Sequence, residues 1–267
     1  MYIEGRNAVS EALRARMPLQ KIFIAQGVKP DKALDDIKRR ANRAQITIQS
    51  VPKRDLDKLS ERGAHQGIMA ETTPFKFTPI EKVLRDTENE RDALIIVLDH
   101  ITDPGNLGAI VRSAEVIGAA GVVIPKRRMA AITPSAWKAA AGAFAHVALS
   151  QETNVARSLQ KLQEGGFWVA GASEKAKQDV WHAPLDGKIA LVMGSEGEGL
   201  ARLTQERCDF LVKLPQRGKV GSLNVAQATT ALAYEWLRRT QMKADEQSNL
   251  GTNAADLGGP GAPKNKD

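Results

Sequence analysis

Five short apolar runs, at 94–98, 121–124, 167–170, 189–193 and 210–214, show no alternation with polar residues. A strand with one wet face alternates, whereas a strand covered by helices on both faces stays apolar throughout. Between the runs lie stretches long enough for crossover helices, expected at 107–117, 135–144, 155–162 and 223–239. Residues 93–241 are therefore expected to form an α/β domain around a parallel sheet. The last of these helices carries Ala226, Ala228, Ala231, Leu232, Ala233, Trp236 and Leu237. Apolar on every side, it must be buried, either in the core or against a partner subunit.

Residues 1–75 have a different pattern. Helical spacing at 7–16 is followed by a strand at 21–25, a helix that Asp31 would cap, a strand at 46–48, a helix at 55–59 and a strand at 67–70. This predicts a small separate α/β module. Residues 76–92, with Pro79 and a charged run, read as a linker. Residues 242–267, rich in Gly, Asn, Asp, Pro and Lys, are expected to be a disordered tail.

The 267 residues suffice for two such domains. No apolar stretch reaches membrane-spanning length, and the N-terminus carries no hydrophobic signal core. The single cysteine, Cys208, suits a reducing compartment, so a cytoplasmic protein is expected. His65, His100, His146 and His182 lie far apart and no Cys/His spacing resembles a metal site, so no metal is expected. The net charge of +7 is concentrated in the folded parts. Residues 1–80 hold 15 Lys and Arg against 9 Asp and Glu, and residues 93–240 hold 17 against 13. Such an excess fits a polyanionic partner or simply a solvated basic surface.

Three loops at the carboxyl ends of predicted strands combine glycine with polar side chains, and ligands of open α/β sheets settle at those ends. The first contains Asp103-Pro104-Gly105-Asn106-Leu107-Gly108 and leads to Arg112. Asn106 could be a helix N-cap there, and Arg112 a solvent-facing arginine. The second, Gly194-Ser195-Glu196-Gly197-Glu198-Gly199, lacks the Lys-Ser/Thr of a phosphate-binding loop, and its glutamates would repel phosphate. It is either a plain turn or a turn whose acid accepts from a ribose or an arginine. The third runs from Leu214-Pro215 to Ser222-Leu223-Asn224-Val225, where Ser222 fits an N-cap and Asn224 could do the same or face a site.

Together these loops resemble the three signature motifs of the SpoU/TrmH branch of the SPOUT methyltransferases. Asn-x-Gly-x-x-x-Arg matches Asn106, Gly108 and Arg112; Gly-x-Glu-Gly-x-Gly matches Gly194, Glu196, Gly197 and Gly199; Pro…Ser-Leu-Asn-Val matches Pro215 and 222–225. The resemblance implies transfer of a methyl group from S-adenosyl-L-methionine to a ribose 2′-hydroxyl of RNA. It assigns Asn106, Arg112, Glu196, Ser222 and Asn224 to catalysis and Gly194, Leu214 and Leu223 to the cofactor. It further implies a trefoil knot in the parallel α/β domain and a homodimer. The opening Gly5-Arg6-Asn7-Ala8-Val9 and the stretch His65-Gln66-Gly67-Ile68 resemble the RNA-binding domain of the RlmB-type guanosine methyltransferases of 23S ribosomal RNA. That domain is similar to ribosomal proteins, so residues 1–75 are expected to bind the RNA substrate. One departure stands out: Gly142-Ala143-Phe144 is followed by Ala145, where relatives often carry glutamate, which bears on substrate choice. The alternatives are a transfer-RNA methyltransferase of the same branch and a non-catalytic RNA-binding ribosome-assembly factor. A dinucleotide-dependent oxidoreductase is disfavoured because the Gly-x-Gly-x-x-Gly after the first strand is missing.

Overall fold

A computed structural model describes residues 2–256 except 61, 62, 64, 196 and 220, with side chains as far as Met242. Four strands make the N-terminal sheet: β1 (Tyr2–Glu4), β2 (Leu19–Ala25), β3 (Thr47–Val51) and β4 (Ile68–Thr72), in the order β1-β4-β2-β3. β2 and β3 are parallel, while β4 runs antiparallel to β1 and β2. Helices α1 (Arg6–Arg14), α2 (Lys32–Arg43) and α3 (Lys53–Leu59) complete the module. Asp31 caps α2 as expected, its carboxylate accepting the Leu34 N–H at 2.8 Å. β1 was not anticipated, because three residues are too few to show a period.

The second sheet has seven parallel strands in the order β7-β6-β5-β10-β8-β11-β9. In chain order these are β5 (Ala93–Leu98), β6 (Gly121–Pro125), β7 (Leu149–Glu152), β8 (Trp168–Ala172), β9 (Gln178–Asp179), β10 (Lys188–Met193) and β11 (Phe210–Lys213). The helices are α4 (Ile80–Asp86), α5 (Pro104–Ile117), α6 (Pro134–Ala140), α7 (Val155–Glu164), α8 (Arg202–Gln205) and α9 (Val225–Asp256).

Successive side chains of a strand point to opposite faces, and both faces are dry here. Leu94, Ile96 and Leu98 enter the core shared with α5, α6 and α9. Ala93, Ile95 and Val97 enter the core shared with α4 and α7. Burying each larger aliphatic side chain contributes about 1.5–3 kcal/mol, which explains the unbroken apolar runs. The first core is continuous with that of the N-terminal module, including Val9, Ile22, Leu34 and Ile37.

Three departures from the sequence expectations have physical causes. The segment read as a linker contains α4, whose Ile80 and Val83 are fully buried and whose Glu81 accepts from Lys161 of α7 at 2.6 Å. Pro79 precedes this helix rather than breaking it. β7 and β9 are short edge strands, and only Leu149 and Ser150 of β7 are buried, so neither forms an apolar run. The final helix continues past Met242 to Asp256, into the segment read as a disordered tail. Extending a nucleated helix adds one hydrogen bond per residue, and the Ala, Lys, Glu and Gln at 243–247 favour it. The rest of that segment, 257–267, lies outside the described residues.

Candidate active site

The carboxyl ends of β5, β8, β10 and β11 lie on one edge of the sheet, and the loops leaving them converge there. Between the loops is a cavity of about 280 Å³, close to the lower end of small-ligand sites. Its walls come from Gly194, Ser195 and Gly197–Leu200 after β10, from Leu214 and Gln216 after β11, and from Ser222 and Leu223 before α9. Ser173, Glu174 and Lys175 after β8 form a further wall. No sequence motif marked that wall, although the strand-end rule that selects the other loops applies equally to it.

Backbone geometry shapes the 194–200 loop. The Ser195 N–H donates to the Gly199 carbonyl and the Gly199 N–H to the Ser195 carbonyl, both at 3.0 Å. This pinch brings Gly199 so close to Gly194 that a Cβ on Gly194 would lie 2.2 Å from the Gly199 carbonyl carbon. Only glycine fits. The far end is tied down by Asp99, the residue after β5, whose carboxylate accepts the Ala201 N–H at 2.9 Å and is 1% exposed. Its other oxygen lies 2.5 Å from His100 Nδ1. Asp99 was also missed, yet an acid following an all-buried strand must find donors, which is the signal that could have found it.

The first and third loops meet through their asparagines. Asp103, not Asn106, caps α5: its carboxylate accepts the Asn106 N–H at 2.7 Å, with Pro104 in the first helical position. This leaves the Asn106 side chain available in the first turn. Asn224, not Ser222, caps α9: its Oδ1 accepts the Ala226 N–H at 2.9 Å. Asn224 Nδ2 then donates to Asn106 Oδ1 at 2.8 Å, across 118 residues of chain. Further along, Ser113 and Thr230 hydroxyls bond at 2.7 Å, so α5 and α9 run side by side in the same direction. Ser222, freed from capping, lines the cavity and is exposed.

Gly194, Leu214, Leu223 and Ser222 thus border one cavity, while Asn106 and Asn224 are joined outside its lining. Arg112 is exposed on α5, and its guanidinium makes no hydrogen bond or ion pair with another described residue. Glu196 lies outside the described residues. Gly108 of the first motif turns out to be a packing residue. A Cβ there would lie 2.2 Å from the Ala136 carbonyl oxygen of α6, so the two helices touch at this point. Arg112, four residues on, lies on the same side of α5. Cys208 sits behind the sheet edge with its thiol pushed up to about 12 by burial and by Asp209 and Asp99, so it is no nucleophile. Among the described residues no group of three or more His, Cys, Asp or Glu could hold a metal ion, and no helix is long and apolar enough to cross a membrane.

The cavity fits a nucleoside-type ligand: Met193, Leu214, Leu223 and Leu232 provide apolar surface, and the pinched loop brings main chain to the ligand. A profile of the SpoU rRNA Methylase family matches residues 93–234, and one for RNA 2′-O ribose methyltransferase substrate binding matches residues 2–78. A Bacillus subtilis protein assigned to the TrmH family of tRNA/rRNA methyltransferases is 39% identical over 239 residues, covering 89% of this chain and 95% of its own. Among solved structures, the SpoU methyltransferase AviRb of Streptomyces viridochromogenes, crystallised with AdoMet, is similar in fold. It has a TM-score of 0.61 at 23% identity, over 90% of this chain and 89% of its own. A TrmH-family protein of Porphyromonas gingivalis gives 0.56 at 27% identity, over 90% of each chain.

Proposed function

The chain belongs to the SpoU rRNA methylase family, and on that premise we propose that it methylates a ribose 2′-hydroxyl of RNA, at a guanosine of 23S ribosomal RNA, using S-adenosylmethionine. The observation that carries this reading is the meeting of all three loops at one strand edge, two around the cavity and the first joined to the third by the Asn106–Asn224 bond. S-adenosylmethionine, when bound, supplies an electrophilic methyl group on a sulfonium. Gly194, Leu214 and Leu223 hold it, with backbone and aliphatic contacts rather than charge.

Arg112 does the electrostatic work. A guanidinium is always protonated, so it cannot accept the hydroxyl proton. It grips a phosphate of the target nucleotide and favours the ionised 2′-oxygen. Glu196 and Asn106 orient Arg112 and the ribose, while Ser222 and Asn224 close the third side. The Asn224 bond fixes the Asn106 amide in advance, so no reordering is needed when RNA arrives. Residues 1–75 supply RNA affinity, in keeping with the substrate-binding profile over 2–78. That module favours ribosomal RNA over transfer RNA, whose methyltransferases in this branch usually lack one. A cytoplasmic homodimer is the working form. Val116 and Tyr234 are 60% and 47% exposed, one turn beyond the Ser113–Thr230 contact on neighbouring helices, and are the apolar side chains offered to a second copy.

The test is direct. Purified protein is titrated calorimetrically with S-adenosylmethionine, then incubated with ribosomal and transfer RNA and labelled cofactor, and 2′-O-methylated positions are mapped. Saturable binding and label at a large-subunit guanosine are expected. Absent cofactor binding would return the protein to the RNA-binding assembly factors, and label confined to transfer RNA would move it to that substrate. Light scattering should give twice the chain mass.

A further inference from the structure

A second, larger cleft lies between the two modules. It has a volume of about 1200 Å³, more than a small-molecule site requires, and is walled by α1 and α2 on one side and by α6 and the segment after it on the other. Its cations come from separate elements: Arg14 from α1, Arg16 from the turn beyond it, Lys32 from the start of α2 and Lys138 from α6. His146 follows at the end of the α6 wall.

Two acids also line the cleft, and both are already engaged. Glu11 lies 3.5 Å from Lys138, an ion pair that bridges the two modules. Asp36 is clasped by Arg40 at 2.8 Å and Arg39 at 2.5 Å, neither of which lines the cleft, and Arg14 stands 3.5 Å away. The Arg40 hydrogen bond first, and Arg39 after it, hold the Asp36 carboxyl down at about 2, so it stays ionised and paired. Arg16 and Lys32 are exposed and have no carboxylate partner among the described residues. The cleft therefore presents uncompensated positive charge at Arg16 and Lys32, on the wall that the N-terminal module provides.

The cleft also leads toward the candidate active site. Its α6 wall packs on α5 at the Gly108–Ala136 contact, and Arg112 lies one turn further along that side of α5. Lys32, Lys138 and Arg112 thus sit on α2, α6 and α5, with α1 packed on α2 and α6, and α6 packed on α5.

Resting on the reading of the protein as an RNA methyltransferase, we propose that this cleft is the track for the RNA phosphodiester backbone between the N-terminal module and Arg112. Arg16 and Lys32 meet phosphates directly. Lys138 serves both the strand and the closure of the two modules through Glu11. These contacts position the strand and carry no base specificity.

The test uses the full-length protein and transcribed large-subunit ribosomal RNA, in filter binding across a salt series, with the double variant Arg16→Ala/Lys32→Ala. Each lost single-strand phosphate contact lowers the magnitude of the slope of log K against log salt by about 0.7, so a fall of about 1.4 is expected. The control variant Arg85→Ala/Arg157→Ala removes two charges from α4 and α7, which pack on the opposite face of the large sheet. It should keep the wild-type slope, and both variants should keep the wild-type affinity for S-adenosylmethionine. A wild-type slope in the cleft variant, or an equal fall in the control, would overturn the track while leaving the methyltransferase reading intact. A wild-type protein that binds neither cofactor nor RNA would remove the reading and the track together.

Discussion

Around the cavity, Gly194, Leu214 and Leu223 present main chain and aliphatic surface, whereas outside its lining Asn106 and Asn224 present amides and Arg112, further along α5, an exposed guanidinium. The first region is built by exclusion: a loop closed on itself by two backbone hydrogen bonds leaves space only for glycine. The second is built by pairing, through one side-chain bond between two helix starts, with Arg112 exposed further along α5. In the proposed roles binding and chemistry fall to different atoms, so substitutions should separate them.

The largest effect is expected at Arg112. Replacing it with alanine should lower turnover about 10²–10³-fold, the usual cost of losing a preorganised charge at a reacting oxygen. Calorimetric affinity for S-adenosylmethionine should stay at the wild-type value. Arg112→Lys should restore little, since an ammonium lacks the planar fork that grips phosphate. If cofactor affinity falls in step with turnover, the two regions are not separate.

Gly194→Ala should do the reverse. Its Cβ has no room, so the loop must open at a cost of about 1–3 kcal/mol. Cofactor affinity should weaken roughly tenfold to a hundredfold, with RNA affinity preserved. Gly108→Ala carries a similar clash but against α6. It should appear as a lower melting temperature, by about 2–4 °C for each kcal/mol in a chain of this size, with a smaller change in cofactor affinity. Equal effects of the two glycines on affinity would contradict their different roles.

Smaller still is the effect of the asparagine pair. Asn224→Ala removes a helix cap and should cost about 1 kcal/mol in denaturant unfolding. Asn224→Asp keeps the capping acceptor but loses the donor to Asn106 Oδ1. It should hold most of the stability while turnover falls, and a double-mutant cycle with Asn106→Ala should give a coupling of about 0.5–1.5 kcal/mol.

Outside the cavity lining, Glu235 of α9 is a structural reference point. Arg238 first, with Arg239, holds its carboxyl below the ordinary value of 4.5. Its stabilising contribution is complete above that value and is lost as pH falls through the lower folded value. Glu235→Gln should flatten the acid side of the stability profile and leave methyl transfer at neutral pH unchanged.

Much of this protein could be read from local pattern. The parallel strands followed from runs such as 94–98, because two dry faces demand apolar residues at every position. The capping of α2 followed from Asp31, and the three loops were found because glycine and polar residues recur where such sheets bind ligands. α4 was hidden by Pro79 and its charged surroundings, since only Ile80 and Val83 report its burial.

The choice of capping residue was beyond local reading, because Asp103, Asn106, Ser222 and Asn224 all have the chemistry of a cap. Spacing along the chain also could not say that Gly108 serves a helix contact while Gly194 serves a loop. Nor could it show that Asp99 reaches Ala201, or that the acids of the interdomain cleft are neutralised by neighbours. Hydrophobic period and turn chemistry are properties of a few consecutive residues, so the chain carries them openly. Hydrogen-bond partners, room for a methyl group and the balance of charge depend on atoms distant in sequence, and those meet only once the two sheets and their helices have packed.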